Sequence, residues 1–358
     1  MKLKNFSVIA LSFGLIFGTI STVNLNAQVQ DPAKVVEELA REFIPAEILS
    51  IIKSGLDTKT PNMGIPFDIF KSLYLPAQQN MHGIFFFKCK NADLDFQSAT
   101  QPAAAEEKEV SAFESTPTQL ISRKNIYLYF KQLNGDYEKQ IYVPFNQKAD
   151  GMTYAPEEEV YYSVGYPLPA GDYVLGMAIA SPDNQKVGTQ YYEFSLPNAA
   201  SLTEIDITPP FFVNQLNQMP AVEMQTAVHK GFFTYSTLQM DPNLEHVFSP
   251  GDNLDIFFYI FGIQANAEGK SDIEINYSIS QGEEMAIRYA PTKYEYPVVS
   301  QPLPMKKTVV VKTTDEEGNV SEKTETRDLE PGTYTFSIEI KDNLSGKSET
   351  KSVEIEVR

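Results

Sequence analysis

Apolar and polar residues alternate in short segments from about residue 80 to the end of the chain, and this pattern constrains the fold most. In residues 83–90 the alternation places Phe85, Phe87 and Cys89 on one face of a strand and Phe86 on the other. Tyr, Phe, Val and Ile fill these segments, and turns rich in Gly, Pro and Asn separate them. The pattern predicts a mostly β fold, made of tandem immunoglobulin-like antiparallel β-sandwiches with a short α-helical N-terminal segment. The predicted strands are residues 83–90, 125–132, 139–144, 159–164, 172–180, 189–195, 231–240, 254–263, 272–280, 284–289, 308–313, 333–340 and 351–357.

The two halves of this strand-rich region read as a degenerate repeat. The hexapeptide LPAGDY at residues 168–173 resembles LEPGTY at residues 329–334, and each precedes an alternating strand. Its glycine permits a tight turn and its tyrosine begins the next strand, as in the tyrosine corner of immunoglobulin-like domains. Two further matches keep the same order along the chain: residues 83–85 with 231–233, and residues 125–130 with 255–260.

The domain boundaries follow from segments with few strand signals. Residues 94–118 and 314–328 are too polar to bury a face, so they are predicted as a mobile loop and a hairpin tip. The predicted organisation is a signal peptide at residues 1–27, a helical segment at 28–60, a first sandwich at 61–197, a proline-rich connector at 198–228 and a second sandwich at 229–358.

The N-terminus is typical of a secretory signal peptide. Lys2 and Lys4 precede an apolar run over residues 6–20, and Ala27 offers a small residue for cleavage before Gln28. The run is about fifteen residues long, shorter than the roughly 20 that a membrane-spanning helix needs. We therefore expect a secreted or periplasmic protein, cleaved near Ala27, with no transmembrane segment in the mature chain. Cleavage removes two lysines and no acid, which changes the net charge from −18 to −20.

Two short amphipathic helices are predicted after the cleavage site. Asp31 and Pro32 provide an N-cap and a first helical position, and an apolar stripe follows at helical spacing. A second helix is predicted from Pro45, with Gly55 as its stop. We expect both apolar faces to pack on the following sandwich, with a docking pair for a partner as the alternative.

The C-terminal stretch that runs from LEPGTY to DNLSGK, residues 342–347, resembles the terminal β-sandwich of exported bacterial proteins from acidobacterial and related lineages. Such domains accompany domains named for a Gly-Trp-x-Thr-Asp motif or modules related to von Willebrand type A. The chain has no Trp, so the first companion is absent. The resemblance implies an uncharacterised exported sandwich protein and gives no functional residues.

Composition excludes several function classes. The net charge of −18 argues against nucleic acid or anionic lipid as a partner. The single cysteine, Cys89, excludes an intramolecular disulfide framework, and burial as a small apolar residue is expected for it. The three histidines (His82, His229 and His246) form no zinc motif, and no nucleophile elbow, phosphate loop or dinucleotide fingerprint occurs. The sequence therefore predicts no catalytic residue and no cofactor.

Acidic side chains provide the remaining candidates for chemistry. Asp241, Glu245, Asp252 and Asp255 surround a loop before a strand, and oxygen ligands of this kind suit calcium. Their spacing matches no EF-hand, so the prediction of calcium depends on the type of ligand alone. Paired carboxylates for a hydrolase are the alternative, either among residues 157–159 or from Asp252 with Asp255.

Paired aromatic residues point to surfaces outside each sandwich core. Adjacent residues of a strand face opposite sides, so one ring of each pair must contact a neighbouring domain, the helices or a partner. The candidates for interaction are Tyr161, Tyr191, Phe232 and Phe258. The sequence thus predicts a non-catalytic binding or structural module of the bacterial cell envelope or exterior, engaged with another protein. The alternatives are a secreted carboxylate-dependent hydrolase of polysaccharide or peptide, and a periplasmic chaperone with a basic cleft between its sandwiches.

Overall fold

The computed structural model describes residues 43–98, 119–223, 225–314 and 320–358. The predicted signal peptide and the helix predicted from Asp31 lie outside these residues, as does most of the predicted mobile loop. No helix within the described part of the chain has the length and apolar character needed to cross a bilayer.

The first sandwich contains two antiparallel sheets. Sheet I has the strand order β1-β2-β6-β11, and sheet II has the order β3-β4-β7-β8 with β5 on the other edge of β4. The strands are β1 (Asp68–Ala77), β2 (Asn80–Lys90), β3 (Gln97–Ser98), β4 (Gln119–Gln132), β5 (Glu138–Asp150), β6 (Glu159–Leu168), β7 (Gly171–Ala180), β8 (Val187–Leu196) and, from later in the chain, β11 (Val228–Lys230). A single turn of 3-10 helix, Asn91–Leu94, joins β2 to β3.

The second sandwich repeats this arrangement with insertions. Sheet III has the order β12-β13-β10-β15-β19 with β9 beside β15, and sheet IV has the order β14-β23-β22-β16-β17 with β18 beside β16. Two further strands, β20 and β21, form a separate ribbon. The strands are β9 (Asp206–Ile207), β10 (Phe211–Gln218), β12 (Phe233–Tyr235), β13 (Leu238–Asn243), β14 (Val247–Phe248), β15 (Asn253–Phe261), β16 (Ile273–Gln281), β17 (Glu284–Arg288), β18 (Thr292–Tyr294), β19 (Val298–Pro304), β20 (Lys306–Thr314), β21 (Val320–Asp328), β22 (Gly332–Asp342) and β23 (Ser348–Val357). The predicted mostly β fold is confirmed.

Strand alternation places each side chain as the sequence predicts. Phe85, Phe87 and Cys89 face sheet II in the first core, whereas Ile84 and Phe86 face away from it. The second core lies between sheets III and IV and contains Phe258, Tyr277 and Phe336 among its buried side chains. Each sheet therefore contributes one apolar face to a sandwich core, as expected for strands of period two.

The two sandwiches bury their remaining apolar faces against each other. Leu73, Leu75 and Phe86 of sheet I form one buried cluster with residues of sheet III such as Phe233 and Phe257. The ring centroids of Phe86 and Phe233 are 6.0 Å apart in an edge-to-face arrangement. Sheet I is thus covered on both faces, and the order of sheets through the molecule is II, I, III, IV.

The helix α1 (Ala46–Leu56) covers the outer face of sheet II. Its Ile48 and Ile52 are fully buried and pack in one cluster with Tyr127 and Tyr129. This helix confirms the one predicted from Pro45, whose carbonyl accepts the first helical hydrogen bond from the Leu49 amide. The helix extends one residue beyond Gly55, the predicted stop. Its apolar face packs on the sandwich, as expected.

Equivalent turns relate the two sandwiches. The hydroxyl of Tyr173 donates to the carbonyl of Pro169 at 3.0 Å, and that of Tyr334 donates to the carbonyl of Glu330 at 2.8 Å. Both bonds connect residues four apart, which is the geometry of a tyrosine corner. The preceding glycines have φ of 150° and 157°, and in each a glutamine amide, from Gln132 or Gln281, fills the space of a Cβ.

These turns define which strands correspond. Because Gln132 and Gln281 are equivalent, β4 corresponds to β16, and the sheet orders make β2 correspond to β15. The predicted match of residues 125–130 with 255–260 is therefore wrong by one strand. The predicted match of residues 83–85 with 231–233 is also wrong, because the counterpart of β2 is β15. Short apolar strands all follow the same alternation, so local similarity alone cannot select the right partner.

Three segments differ from their predicted secondary structure. Two were predicted without strands and contain one, and the third was predicted as a single strand and is interrupted. The predicted connector contains β10, which Pro209 and Pro210 precede and whose second half is exposed and polar except for Leu216. The predicted hairpin tip at residues 314–328 contains β21, which pairs with β20 over nine residues. The predicted strand at residues 231–240 is broken by a turn at Ser236, where φ is 54°. In the first two, polar side chains hid strands that hydrogen bonds across the sheet stabilise.

Candidate functional site

The aromatic candidates Tyr161 and Tyr191 contact other parts of the same chain. The hydroxyl oxygen of Tyr161 lies 2.8 Å from the carbonyl oxygen of Gly231 and 3.1 Å from Asp241 Oδ1, both within hydrogen-bond distance, so this side chain links the two sandwiches. The hydroxyl of Tyr191 donates to the carbonyl of Ile52 at 2.9 Å and holds the end of α1 on sheet II. Both rings are half-buried, and their polar tips are already bonded.

Phe232 and Phe258 have opposite environments. Phe232 is half-buried at the edge of sheet I, where its ring stacks on His229 at 4.7 Å and its carbonyl accepts from Ser163 at 2.6 Å. Phe258 is fully buried between sheets III and IV. A residue within a sandwich core is not accessible to a partner, so the structure does not support Phe258 as an interaction residue.

The acids predicted as calcium ligands are engaged separately. Asp241 accepts from Tyr161, and Asp252 Oδ2 accepts from the Ser249 amide at 2.7 Å in its own turn. Glu245 is exposed, and Asp255 has a buried Oδ1 that lacks a hydrogen-bond partner. Burial raises the pKa of the Asp255 carboxyl. In the described ranges, no three His, Cys, Asp or Glu side chains form a group that could hold a metal ion. Calcium binding stays a prediction of the sequence.

The carboxylates considered for a hydrolase form structural bonds. Glu157 pairs with Lys90 at 2.8 Å, and Glu159 pairs with Lys88 at 2.9 Å. Glu158 accepts from Asn91 at 3.2 Å. The structure therefore uses these acids to tie β6 and its preceding loop to β2.

Two histidines lie between the sandwiches. His82 is on the face of β2 that meets sheet III, and its ring centroid is 6.4 Å from that of Tyr235. Burial lowers the pKa of His82 to about 4, so the ring is neutral at pH 7. His246 Nε2 is 3.2 Å from the Lys71 Nζ, and its Nδ1 is 3.3 Å from the Glu354 carbonyl. These contacts join β1 to the second sandwich.

Cys89 is the free cysteine and is buried in the first core. Burial, with the nearby carboxylates of Asp93 and Glu159, raises the pKa of its thiol to about 12. A thiol in this environment stays protonated and unreactive at neutral pH. The expectation of a small buried apolar residue is confirmed.

An exposed ribbon extends from the second sandwich. Its base is fixed by Met305 and Leu329, which are buried in the second core, and the Leu329 amide donates to the Met305 carbonyl at 3.3 Å. Beyond this base, β20 and β21 pair over nine residues, about 30 Å at the usual rise per residue. Val310, in the middle of β20, is 58% exposed. Among the described residues, β21 has no strand partner other than β20.

A polar cleft opens at one end of the first sandwich, with a volume of about 630 Å³. It lies between the start of β3, the start of β4 and the turn that joins β7 to β8. Lys124 lines it from the core-facing side of β4, and Asp95 and Lys186 line it from the two neighbouring segments. The other lining residues are Gln97, Ser98, Ile121, Arg123, Ser181, Pro182, Asp183 and Gln185.

Lys124 is the unusual residue of this cleft. It shares the face of β4 with the core residues Ile126 and Leu128, and its side chain is only 4% exposed. Its Nζ is 3.4 Å from Asp95 Oδ2, which also lies 3.4 Å from the Lys186 Nζ. Desolvation opposes ionisation of Asp95, but the two ammonium groups outweigh it and lower the pKa of this carboxyl.

Sequence reasoning missed this cleft, although β4 carried a signal for it. In the alternating segment LISRKNIYLYF, residues 120–130, Lys124 occupies a position in phase with Ile126, Leu128 and Phe130. A charged residue at a core-facing position is rare without a specific partner. Its neighbours Asp95 and Lys186 are distant in sequence, so only the fold shows that they meet there.

Comparison with known proteins gives little beyond this geometry. No protein-family model and no curated protein matches the sequence. Among solved structures, the chain is similar to dimeric latent PorU from Porphyromonas gingivalis, with 10% sequence identity and a TM-score of 0.27. The match covers 82% of this chain and 20% of the PorU chain, so the chain spans about a fifth of that protein. A likeness at this level carries no argument about activity.

Proposed function

We propose that this protein is an exported, non-catalytic binding or structural module of the bacterial cell envelope or exterior that works through contact with another protein. The observation that carries this proposal is the exposed ribbon of β20 and β21. The rest of the strand framework buries its apolar faces in two cores and in the contact between the sandwiches. The ribbon instead extends from its base at Met305 and Leu329, and one of its faces is exposed at Lys306, Thr308 and Val310.

The composition of the ribbon supports strand addition by a partner. Thr and Val, which favour strands, fill the middle of β20, and oppositely charged pairs lie at both ends of one face: Lys306 with Asp328, and Lys312 with Glu322. An isolated two-stranded ribbon is only marginally stable in water, and a third strand would stabilise it. Extended segments of partner proteins bind to open edges of this kind through main-chain hydrogen bonds.

The test compares the mature chain, residues 28–358, with a variant in which residues 306–328 are replaced by Gly-Gly between Met305 and Leu329. Both are used to capture proteins from envelope extract, with calcium and with chelator. We expect a specific partner with the full chain and loss of that partner with the ribbon-deleted variant. An unfolding midpoint close to that of the full chain would show that the shortened protein is folded.

Two results would contradict this proposal. Equal capture by both chains would exclude the ribbon as the contact surface. Turnover on a panel of polysaccharide and peptide substrates, abolished by one carboxylate substitution, would replace the binding module with the hydrolase. Export is checked by N-terminal sequencing of the protein recovered outside the cytoplasm, which should begin at or near Gln28.

A further inference from the structure

The second sandwich has an uncharged residue at the position equivalent to Lys124 of the cleft. Since β4 corresponds to β16 and Gln132 to Gln281, Lys124 is equivalent to Ile273, which is fully buried in the second core. In register, Ile273 lies opposite Asp342 of β22, and Asp342 is the counterpart of Ser181 in the turn after β7. An apolar side chain therefore suits this position of the fold, and the lysine of the first sandwich requires another explanation.

The buried ammonium group of Lys124 is incompletely paired. A lysine side chain offers three donors, and burial of a charge is costly unless those donors are bonded. Among the described residues, the partner of Lys124 Nζ is Asp95 Oδ2, at the long distance of 3.4 Å. The same oxygen is shared with Lys186 at 3.4 Å. One carboxylate thus serves two ammonium groups.

The remaining charges leave the cleft with a positive excess. Arg123 lines the cleft, and its side chain has no hydrogen bond or ion pair within the described part of the chain. The carboxylate of Asp183 is occupied by its own turn, where Oδ1 accepts from the Ser181 hydroxyl at 2.6 Å and from the Gln185 amide at 3.2 Å. Three cations face two engaged carboxylates, in a chain whose net charge is −18. Such a local excess attracts an anion.

The cleft also offers neutral polar groups. Along the edge of β4, pairing with β3 ends at Ile121 and pairing with β7 begins at Asn125, so the backbone between them has no strand partner on that edge in the described structure. Amide side chains from Gln97 and Gln185 line the same space. A volume of about 630 Å³ lies in the range of small-molecule sites.

We infer that this cleft binds an acidic saccharide, with the carboxylate of a uronic acid residue between Lys124 and Lys186. The anionic group supplies the acceptors that the buried ammonium lacks. The hydroxyl groups of the sugar act both as donors and as acceptors, which matches a lining of carboxylates, amides and hydroxyls. The site is separate from the ribbon and does not depend on the function proposed for it.

The test is isothermal titration of the mature chain with oligogalacturonate and with its methyl ester, which has the same sugar rings without the charge. We expect binding of the acid and a weakening of about tenfold or more for the ester, because a hydrogen bond to a charged group is lost. Lys124→Ile, which copies the second sandwich, should abolish binding in a folded protein. Lys186→Gln, at an exposed position, should weaken binding without disturbing the core.

Lys270→Gln is the matched control, since Lys270 is a lysine of the second sandwich that pairs with Glu295 at 2.6 Å. It should bind oligogalacturonate as the unchanged chain does. The inference is overturned if no binding occurs at millimolar ligand, if Lys124→Ile and Lys186→Gln bind normally, or if a glutamate-rich peptide binds as tightly as the saccharide. The ribbon-deleted chain should retain saccharide binding. Failure of saccharide binding would therefore leave the ribbon proposal intact, and failure of partner capture would leave the cleft inference intact.

Discussion

The two sandwiches share one strand order. They differ in the segments inserted between strands and in the residue buried at one core-facing position. Each has a three-strand order, β1-β2-β6 or β10-β15-β19, facing a sheet built on the equivalent β4 and β16. The second carries the ribbon between β19 and β22, at the place where the first has the short turn of residues 169–170. The first has Lys124 where the second has Ile273. The shared parts form cores, and the differences mark the surfaces where function is expected.

The largest effect should come from exchanging the two equivalent residues. Ile273→Lys puts an ammonium group into a fully buried core position, where the carboxylate of the opposite residue, Asp342, is already bonded to Gln264, Leu344 and Ser345. We expect a loss of about 5 kcal/mol in the free energy of unfolding. Lys124→Ile removes a buried charge, and we expect no loss or a gain of about 1–4 kcal/mol. Denaturant unfolding of both variants measures the difference. A similar loss of stability in both variants would contradict the equivalence of positions 124 and 273, since an apolar side chain would then not suit position 124.

The contact between the sandwiches should contribute almost as much as a core. Phe86→Ala removes a fully buried ring that meets Phe233 of the second sandwich, and a loss of about 3–4 kcal/mol is expected. Phe85→Ala, on the opposite face of β2, is the matched change within the first core. We expect calorimetry to show one cooperative unfolding transition for each of the two variants. Two separate transitions in the unchanged protein would show that the sandwiches unfold independently.

Acid should weaken the same contact through His82. Its pKa is about 4 in the folded chain and close to 6.5 when unfolded, so between these values the unfolded chain binds the extra proton. Stability therefore falls as the pH drops from 6.5 to 4, by about 3 kcal/mol from this group. His82→Phe should remove this part of the pH dependence of unfolding, whereas His229→Gln should leave it. The same acid dependence in His82→Phe would exclude His82 as its source.

The smallest change in stability is expected from removing the hydrogen bond of either tyrosine corner. Tyr173→Phe and Tyr334→Phe each remove one hydrogen bond to a carbonyl four residues earlier, and each should cost about 1 kcal/mol. Equilibrium unfolding of the two single variants and of the double variant tests whether the corners are equivalent and additive. A loss confined to one variant would indicate that only that corner stabilises its sandwich.

Much of the fold could be predicted because it depends on local patterns. Alternation placed Phe85 and Phe86 on opposite faces, and the turn before Tyr173 and Tyr334 revealed the repeat. Strands β1, β10 and β19 were missed, because their polar or proline-containing segments look like loops until a sheet pairs them. The second strand of the ribbon, β21, was expected as part of a hairpin tip for the same reason, since most of its described side chains are polar and exposed.

The sequence by itself determined the secondary structure of most strands, the buried thiol of Cys89 and the presence of two related halves. These follow from period-two alternation and turn chemistry, which act over a few residues. Only the tertiary structure decided which strands correspond, that Phe258 is internal, and that Lys124, Asp95 and Lys186 share one cleft. The physical reason is distance along the chain: packing and electrostatics act through space, and the residues that meet there are separated by tens of positions in sequence.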